Sequence, residues 1–186
     1  MIKIINMNVE DVRFPTSKDL TGSDAIHTDP DYSATYVTIT TSDKNLIGYG
    51  LAFTLGKGND IVAECIKHFF PLFNGLTIDE IEKNIGKLWY DCADHSQLRW
   101  LGPEKGVVHM ALAAIFNALW DLIAKKNEKP LWQFVVESKP ETIMSWLTFK
   151  NIEDVLTKDD AFKILTKSQE FKKERTSTIL KEGYPS

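Results

Sequence analysis

The stretch ALAAIFNALWDLIA, Ala111 to Ala124, is apolar nearly all round at helical spacing. A helix that hydrophobic cannot lie on a surface and has to be wrapped by the rest of its domain. Val108, Leu112, Ile115, Leu119 and Leu122 form one stripe. Ala111, Ala114 and Ala118 form a second, small enough to let a neighbouring backbone approach. The spacing predicts a central helix from about Pro103 to Lys126. Asp121 sits inside it among apolar residues, where an acid rarely remains unless paired. A structural salt bridge or cap is expected of it rather than catalysis.

Material to wrap this helix lies upstream. Residues 2–14 alternate loosely, are rich in Ile and Val, and stop at Pro15, which predicts a first strand. Tyr32–Thr41 is β-branched and aromatic, SDKN is a turn signal, and Leu46–Leu55 is the hairpin partner. Gly48 and Gly50 in that partner mark a bulge or the close approach of a neighbour. The result is a three-stranded antiparallel meander. The period then changes. Asn59 and Asp60 are N-cap candidates for a helix whose Ile61, Cys65, Phe69 and Phe73 recur every fourth residue. Thr77 with Glu80 forms a capping box for a second helix. Its buried face is Ile78, Ile81, Ile85, Leu88, Trp89 and Cys92, with Glu82, Lys83 and Lys87 facing water. Beyond Pro140 the pattern weakens: MSWLTF reads as a short strand, and one helix runs from the Thr157/Asp160 box to a stop at Gly183. There is no internal repeat and no low-complexity tract.

Hydrophobic residues make up 43% and charged residues 26%, and the net charge is −4. That balance suits a globular protein and offers no global field for nucleic acid or an anionic membrane. No apolar run approaches the roughly 20 residues a bilayer span needs. The N-terminus resembles neither a secretory signal nor a transit peptide, so the cytoplasm is the default compartment, with mitochondria open to a eukaryotic homologue. Cys65 and Cys92 form no CxxC pair and read as buried thiols.

The long polar segment from Pro15 to Tyr32 is the candidate site, because loops of that length inside a compact domain tend to be functional or disordered. Asp24, His27, Asp29 and Asp31 are spaced like metal ligands, yet they lack the central Gly and distal Glu of a calcium loop, and Pro30 stiffens the middle. Hydrogen bonding to a polyhydroxy ligand fits better: Ser23 and Asp24 offer a hydroxyl and an acceptor beside flexible Gly22. TLGKGND does not match a phosphate loop and reads as a strand-to-helix turn. His68, His95 and His109 have no partner at ligand spacing and read as structural or surface residues. Trp89, Trp100, Trp120 and Trp132 read as core. No nucleophile–base pair, paired catalytic carboxylates or cofactor fingerprint emerges.

The meander and helices resemble the N-terminal capping domain of the enolase superfamily, mandelate racemase/muconate lactonizing enzyme type. The resemblance is carried by Ala118-Leu119-Trp120-Asp121-Leu122 with Pro130-Leu131. RFPTS, GSDAIHTDPDYSA, FTLGKG and QLRWLGPEKGVVHMA narrow it to the L-fuconate dehydratase subgroup. It implies an α+β fold, a three-stranded antiparallel meander followed by a helical bundle. A capping domain would occupy 1–139, and 140–186 would be a helical linker towards a missing (β/α)7β barrel. In that family the barrel carries a Lys-x-Lys pair, acidic magnesium ligands and a His–Asp dyad, none of which is in this sequence. The barrel removes the C2 proton and expels the 3-hydroxyl, giving a 2-keto-3-deoxy acid. The loop after the first strand closes over the barrel mouth.

By the same resemblance Gly22, Ser23, Asp24 and Tyr32 bind the sugar-acid substrate, L-fuconate or a close relative, and no catalytic residue or metal ligand falls in this chain. Mg2+ is the cofactor expected of the full-length enzyme, which is expected to be a homo-oligomer, and an amino-terminal fragment like this one is expected to be inactive alone. The alternatives are a dehydratase for another sugar acid, and a non-catalytic module that binds a partner through the apolar surface the barrel would cover. A reading frame beyond Ser186 that encodes Lys-x-Lys and spaced acids would favour the enzyme, and a stop codon the module.

Overall fold

Gly48 and Gly50 lack side chains where the central helix runs against them. A Cβ on Gly48 would stand 2.4 Å from the carbonyl oxygen of Ala118, and one on Gly50 2.1 Å from that of Ala114. Both distances lie far inside van der Waals contact. Strand β3 (Ile47–Thr54) therefore lies on helix α3 (Val107–Lys126) backbone to backbone, seated on the alanine stripe. The structure, a computed structural model, describes residues 1–98, 101 and 104–184. The chain divides into two compact units, Met1–Leu131 and Trp132–Ser186, where the sequence reading placed its division after residue 139. Trp100 and the expected helix start at Pro103 lie outside the described residues.

The first unit is built on the expected sheet. Strands β1 (Ile4–Arg13), β2 (Ser33–Thr41) and β3 are antiparallel in that order. Val9 faces Val37 across one ladder, and Val37 faces Gly50 across the other. Val37 and Ile39 are buried while Tyr36 between the strands' core positions is exposed, the alternation of a half-buried sheet. At the start of β1, Ile4 donates to the Leu76 carbonyl and accepts from the Gly75 amide, which ties the strand to the segment before the second helix. At the edge of β3, Asp121 accepts from the Tyr49 amide (2.8 Å) and Lys125 donates to the Ile47 carbonyl (2.8 Å), while the two side chains pair at 2.6 Å. Asp121 is thus the structural acid expected, holding a strand edge.

The stripe Val108, Leu112, Ile115, Leu119 and Leu122 is buried throughout. Each such side chain contributes about 1.5–3 kcal/mol relative to exposure. By length and a mean hydropathy of 1.7, α3 would suffice to cross a bilayer, contrary to the sequence reading, but 61% of its apolar window is buried inside the protein. It is a core helix.

Helix α1 (Asn59–Phe69) departs from expectation. Its N-cap is Gly58, in the left-handed region, and its buried face is Asn59, Val62, Ala63, Ile66 and Phe69. Ile61 is 58% exposed and Cys65 is half-buried. A strict four-residue repeat drifts about 40° per step around a helix of 3.6 residues per turn, so it starts outside the core at Ile61 and reaches it only at Phe69, two turns on. Helix α2 (Ile78–Ala93) starts with the Thr77/Glu80 capping box as expected. Ile78, Ile81, Ile85 and Cys92 are buried, whereas Leu88 and Trp89 are half-buried. Glu82 does not face open water: with Asp79 it grips Lys126 of α3, at 3.0 and 2.6 Å. Trp89 packs edge-on against Phe116 and His109. Cys65 and Cys92 are free thiols. Burial, aided by Asp91, pushes Cys92 up to about 11.

The second unit contains α4 (Leu131–Glu137) from its second residue on, α5 (Pro140–Trp146), α6 (Lys158–Lys167) and α7 (Lys172–Glu182). Of the expected MSWLTF strand, residues 144–146 are instead the end of α5 and 147–149 are irregular. Pro140, with its fixed φ, opens that helix after an extended Lys139. The Trp146 ring stacks on Phe134 at 5.9 Å. The single helix expected over 157–183 is two. Phe171 sits in the left-handed region at φ 55 and breaks the chain. Arg175 turns back to donate to the Ser168 and Glu170 carbonyls and so closes the end of α6. Trp132 is 38% exposed and is not core.

Candidate substrate loop

The segment from Pro15 to Tyr32 leaves β1 and returns into β2, so its two ends are neighbours in one ladder. Side chains near the ends close its neck. The Thr16 hydroxyl donates to the Pro30 carbonyl (2.8 Å) and accepts from the Tyr32 amide (3.0 Å). The Asp31 carboxylate accepts from the Ser17 amide (3.1 Å), and the Ser17 hydroxyl, then its amide, hold the carboxyl below the ordinary carboxylate value. A short 3-10 turn, Thr16–Lys18, starts the excursion.

The tip is closed by Asp24. One carboxylate oxygen accepts from the amides of Ile26 (2.8 Å) and His27 (2.7 Å), and the other meets His27 Nδ1 at 3.1 Å. The Asp24 amide donates back to the His27 carbonyl at 2.9 Å. This is an Asx turn with an added imidazole contact. The His27 amide, then the Ile26 amide and the His27 ring, depress the Asp24 carboxyl, and the group stays ionised well below its ordinary range. The Ser23 hydroxyl donates to the Thr28 carbonyl at 3.0 Å.

All four sequence-assigned residues lie in this structure. Tyr32 stands over Gly22: its hydroxyl is 3.4 Å from the Gly22 carbonyl, and a Cβ on Gly22 would come 2.0 Å from that hydroxyl. Gly22 also has φ 76, a conformation only glycine adopts without strain. The Tyr32 ring is kept in place by an edge contact with Phe53, 5.6 Å between centroids. Gly22, Ser23, Asp24 and Tyr32 therefore form one preformed patch.

Sequence reasoning also missed a polar network that joins the sheet to α1. Asn59, read as a cap, is fully buried and joins three strands to α1. Its carbonyl oxygen accepts from Thr35 (2.7 Å) and Thr54 (3.0 Å), and its amide donates to Asp11 and to the Ala34 carbonyl (3.3 Å). Asp11 in turn pairs with Arg13 at 2.7 Å, and Arg13 reaches Asp60 at 3.4 Å. The available signal was threonine at core-facing strand positions, which calls for a polar partner inside. Beside the loop lies a cavity of about 420 Å³ whose lining includes Arg13, Ser17, His27, Asp29 and Lys57. Among the described residues no three His, Cys, Asp or Glu side chains are grouped to hold a metal ion. His68 and His95 stay apart from the loop: His68 packs on Phe69, and His95 accepts from the Gln97 amide.

Comparison with known proteins identifies this architecture. Residues 18–135 match the family described as mandelate racemase/muconate lactonizing enzyme, N-terminal domain. Mitochondrial enolase superfamily member 1 from Bos taurus is 46% identical over 185 residues, 99% of this chain. L-Galactonate dehydratase from Hypocrea jecorina is 41% identical over 179 residues, 96% of this chain. The chain spans only 42% and 40% of the lengths of these two proteins. The crystal structure of human mitochondrial enolase superfamily member 1 is 44% identical and covers 98% of this chain, with a TM-score of 0.93 and 42% of its own length matched. At the level of fold alone, L-talarate dehydratase from Polaromonas, solved with Mg and L-glucarate, covers 77% of this chain and 42% of its own at 19% identity and a TM-score of 0.51. With its meander, its central helix and the matched span of 18–135, the chain belongs to the mandelate racemase/muconate lactonizing enzyme family of the enolase superfamily, as the N-terminal capping domain.

Proposed function

We propose that this chain is the cap portion of a magnesium-dependent sugar-acid dehydratase, acting on L-fuconate or a close epimer, and that it supplies the loop that closes over the substrate. The supporting observation is the ordered patch at Gly22, Ser23, Asp24 and Tyr32, fixed from within the loop while its polar groups stay at the surface. Asp24 spends three of its roughly four acceptor sites on Ile26 and His27, which leaves one for a substrate hydroxyl. Such a site rejects analogues lacking that hydroxyl, since its own polar groups would then be left unpaired. L-Fuconate as the substrate rests on the GSDAIHTDPDYSA resemblance; the 41% identity to an L-galactonate dehydratase supports the wider sugar-acid class.

The described residues do not fit a magnesium site, so no step through the metal is assigned to this chain. Its part is to bind, orient and exclude water, which loop closure completes. Alone it is inactive. The mitochondrial names of the bovine and human relatives favour that compartment over the cytoplasm assumed from the sequence.

The test is to fuse the chain to the barrel portion of the bovine relative and assay 2-keto-3-deoxy acid formation from L-fuconate and L-galactonate with Mg2+. Turnover that falls about ten- to a hundredfold in kcat/KM on Asp24→Ala is the expected result, for loss of a charged hydrogen bond of about 1.5–3 kcal/mol. A folded, magnesium-loaded fusion inert towards a panel of epimeric sugar acids would overturn the reading.

A further inference from the structure

We infer that His27 is a specificity-determining residue of this loop, held by Asp24 so that its Nε2 accepts a hydroxyl of a polyhydroxy carboxylic acid; the inference rests on the proposed function for the identity of that acid. Asp24 grips His27 at three atoms. Its Oδ1 takes the His27 amide at 2.7 Å, its amide donates to the His27 carbonyl at 2.9 Å, and its Oδ2 meets Nδ1 at 3.1 Å. An exposed loop histidine without such a partner would move among rotamers; this ring is tied at both backbone and side chain.

The tie also sets the chemistry of the free side. A carboxylate with its charge on can only accept, so the hydrogen in the Asp24–His27 contact belongs to Nδ1. In the neutral imidazole the other nitrogen is then a bare acceptor. Nε2 has no partner among the described residues, and the side chain is 67% exposed. His27 belongs to the lining of the 420 Å³ cavity together with Lys57, whose ammonium also has no partner among the described residues. Arg13, the other cation of that lining, is already engaged by Asp11 and Asp60. In a lining that also holds Asp29 and Asp31, a fixed acceptor and a free ammonium suit a ligand that bears both a donating hydroxyl and a carboxylate.

Two readouts test this, and they separate it from the proposed function. Long-range proton–nitrogen spectra of the 186-residue chain at alkaline pH should show His27 in the Nδ1–H tautomer. Asp24→Asn should weaken that preference. The Nε2–H tautomer in the wild-type chain would overturn the inference whether or not the protein is a dehydratase. In the barrel fusion, His27→Ala should raise KM about five- to twentyfold for L-fuconate or L-galactonate with kcat within about twofold, and His27→Gln should recover most of the loss. For the one deoxy analogue that lacks the contacted hydroxyl, His27→Ala should change nothing. An equal loss on every analogue would assign His27 to loop folding and refute the contact, as would no loss on any. A fusion inert to all sugar acids whose chain still shows the Nδ1–H tautomer, with Nε2 shifting on addition of L-galactonate, would discard the dehydratase and keep the binding residue.

Discussion

Replacing Gly22 with alanine should open the loop without unfolding the domain. Two costs add at this position. A residue with a Cβ pays about 1–2 kcal/mol to hold φ 76. The new methyl would also stand 2.0 Å from the Tyr32 hydroxyl and 2.3 Å from its ring carbon, so the ring must leave its seat on Phe53. An edge-to-face aromatic pair is worth about 0.5–1.5 kcal/mol beyond its area. Together the loop loses about 1.5–3.5 kcal/mol, and opening should become roughly ten- to three-hundredfold more frequent. Native-state hydrogen exchange reads this at the amides of Ser23, Asp24, Ile26 and His27, all bonded within the loop. A cycle isolates the clash. In a Tyr32→Ala background the obstruction is gone, so Gly22→Ala should cost only its backbone strain. An equal cost in both backgrounds would refute the view that Tyr32 is packed onto Gly22.

The other expectations concern the scaffold. Gly50→Ala should cost about 1–3 kcal/mol, because the obstructing atoms are the backbone of Ala114 and Ala118, and the thermal midpoint should drop by roughly 2–12 °C; a midpoint unchanged by circular dichroism would contradict the backbone contact. Asn59→Ala should leave the hydroxyls of Thr35 and Thr54 without their shared acceptor and cost on the order of 3 kcal/mol in denaturant unfolding, more than Asn84→Ala on the surface of α2. Arg13 depresses the Asp11 carboxyl, Lys126 that of Asp79, and the Thr77 amide that of Glu80, from ordinary values of 3.8 and 4.5. Their folded values lie below the unfolded ones, so the stability they contribute is complete above about pH 4.5 and is lost as pH falls through the folded values; a thermal midpoint that climbs on acidification below about pH 4 would reverse that sign. Alkylation at pH 8 should mark half-buried Cys65 well before Cys92, whose thiol at about 11 is roughly one part in a thousand ionised there; equal rates by mass spectrometry would show Cys92 to be open.

Much of the first unit could be read from periodicity because its signals are redundant. The strands alternate, the glycines of β3 and the alanines of α3 each ask for a close neighbour, and Thr77 with Glu80 states where α2 begins. Where one local signal stood alone, it misled. Asn59 occupies the place of a cap residue, yet Gly58 takes that role and frees Asn59 to turn inward to three strands. The β-prone letters of MSWLTF were outweighed by Pro140, which had already started a helix. The break at Phe171 uses neither Gly nor Pro, so no composition rule marks it.

The loop shows the same division at finer scale. Its length and polarity were legible, and so were the residue types at Gly22, Ser23, Asp24 and Tyr32. Their bonding was not, because a run holding Asp19, Asp24, Asp29 and Asp31 offers several equivalent carboxylates for each amide. Geometry decides among them. Asp31 closes the neck on Ser17 and Asp24 closes the tip on Ile26 and His27. Each closure spends carboxylate acceptors on the loop's own backbone, so part of the ordering cost is met before any ligand arrives. A disordered segment would pay that cost on binding, at about 1–2 kcal/mol for each backbone residue fixed. This loop keeps acceptor groups at the surface, and its neck is tied by Thr16 to Pro30 and Tyr32, next to the strands. If the loop closes over a substrate as proposed, it can move as a formed body, and the binding energy that folding would have consumed remains for discrimination.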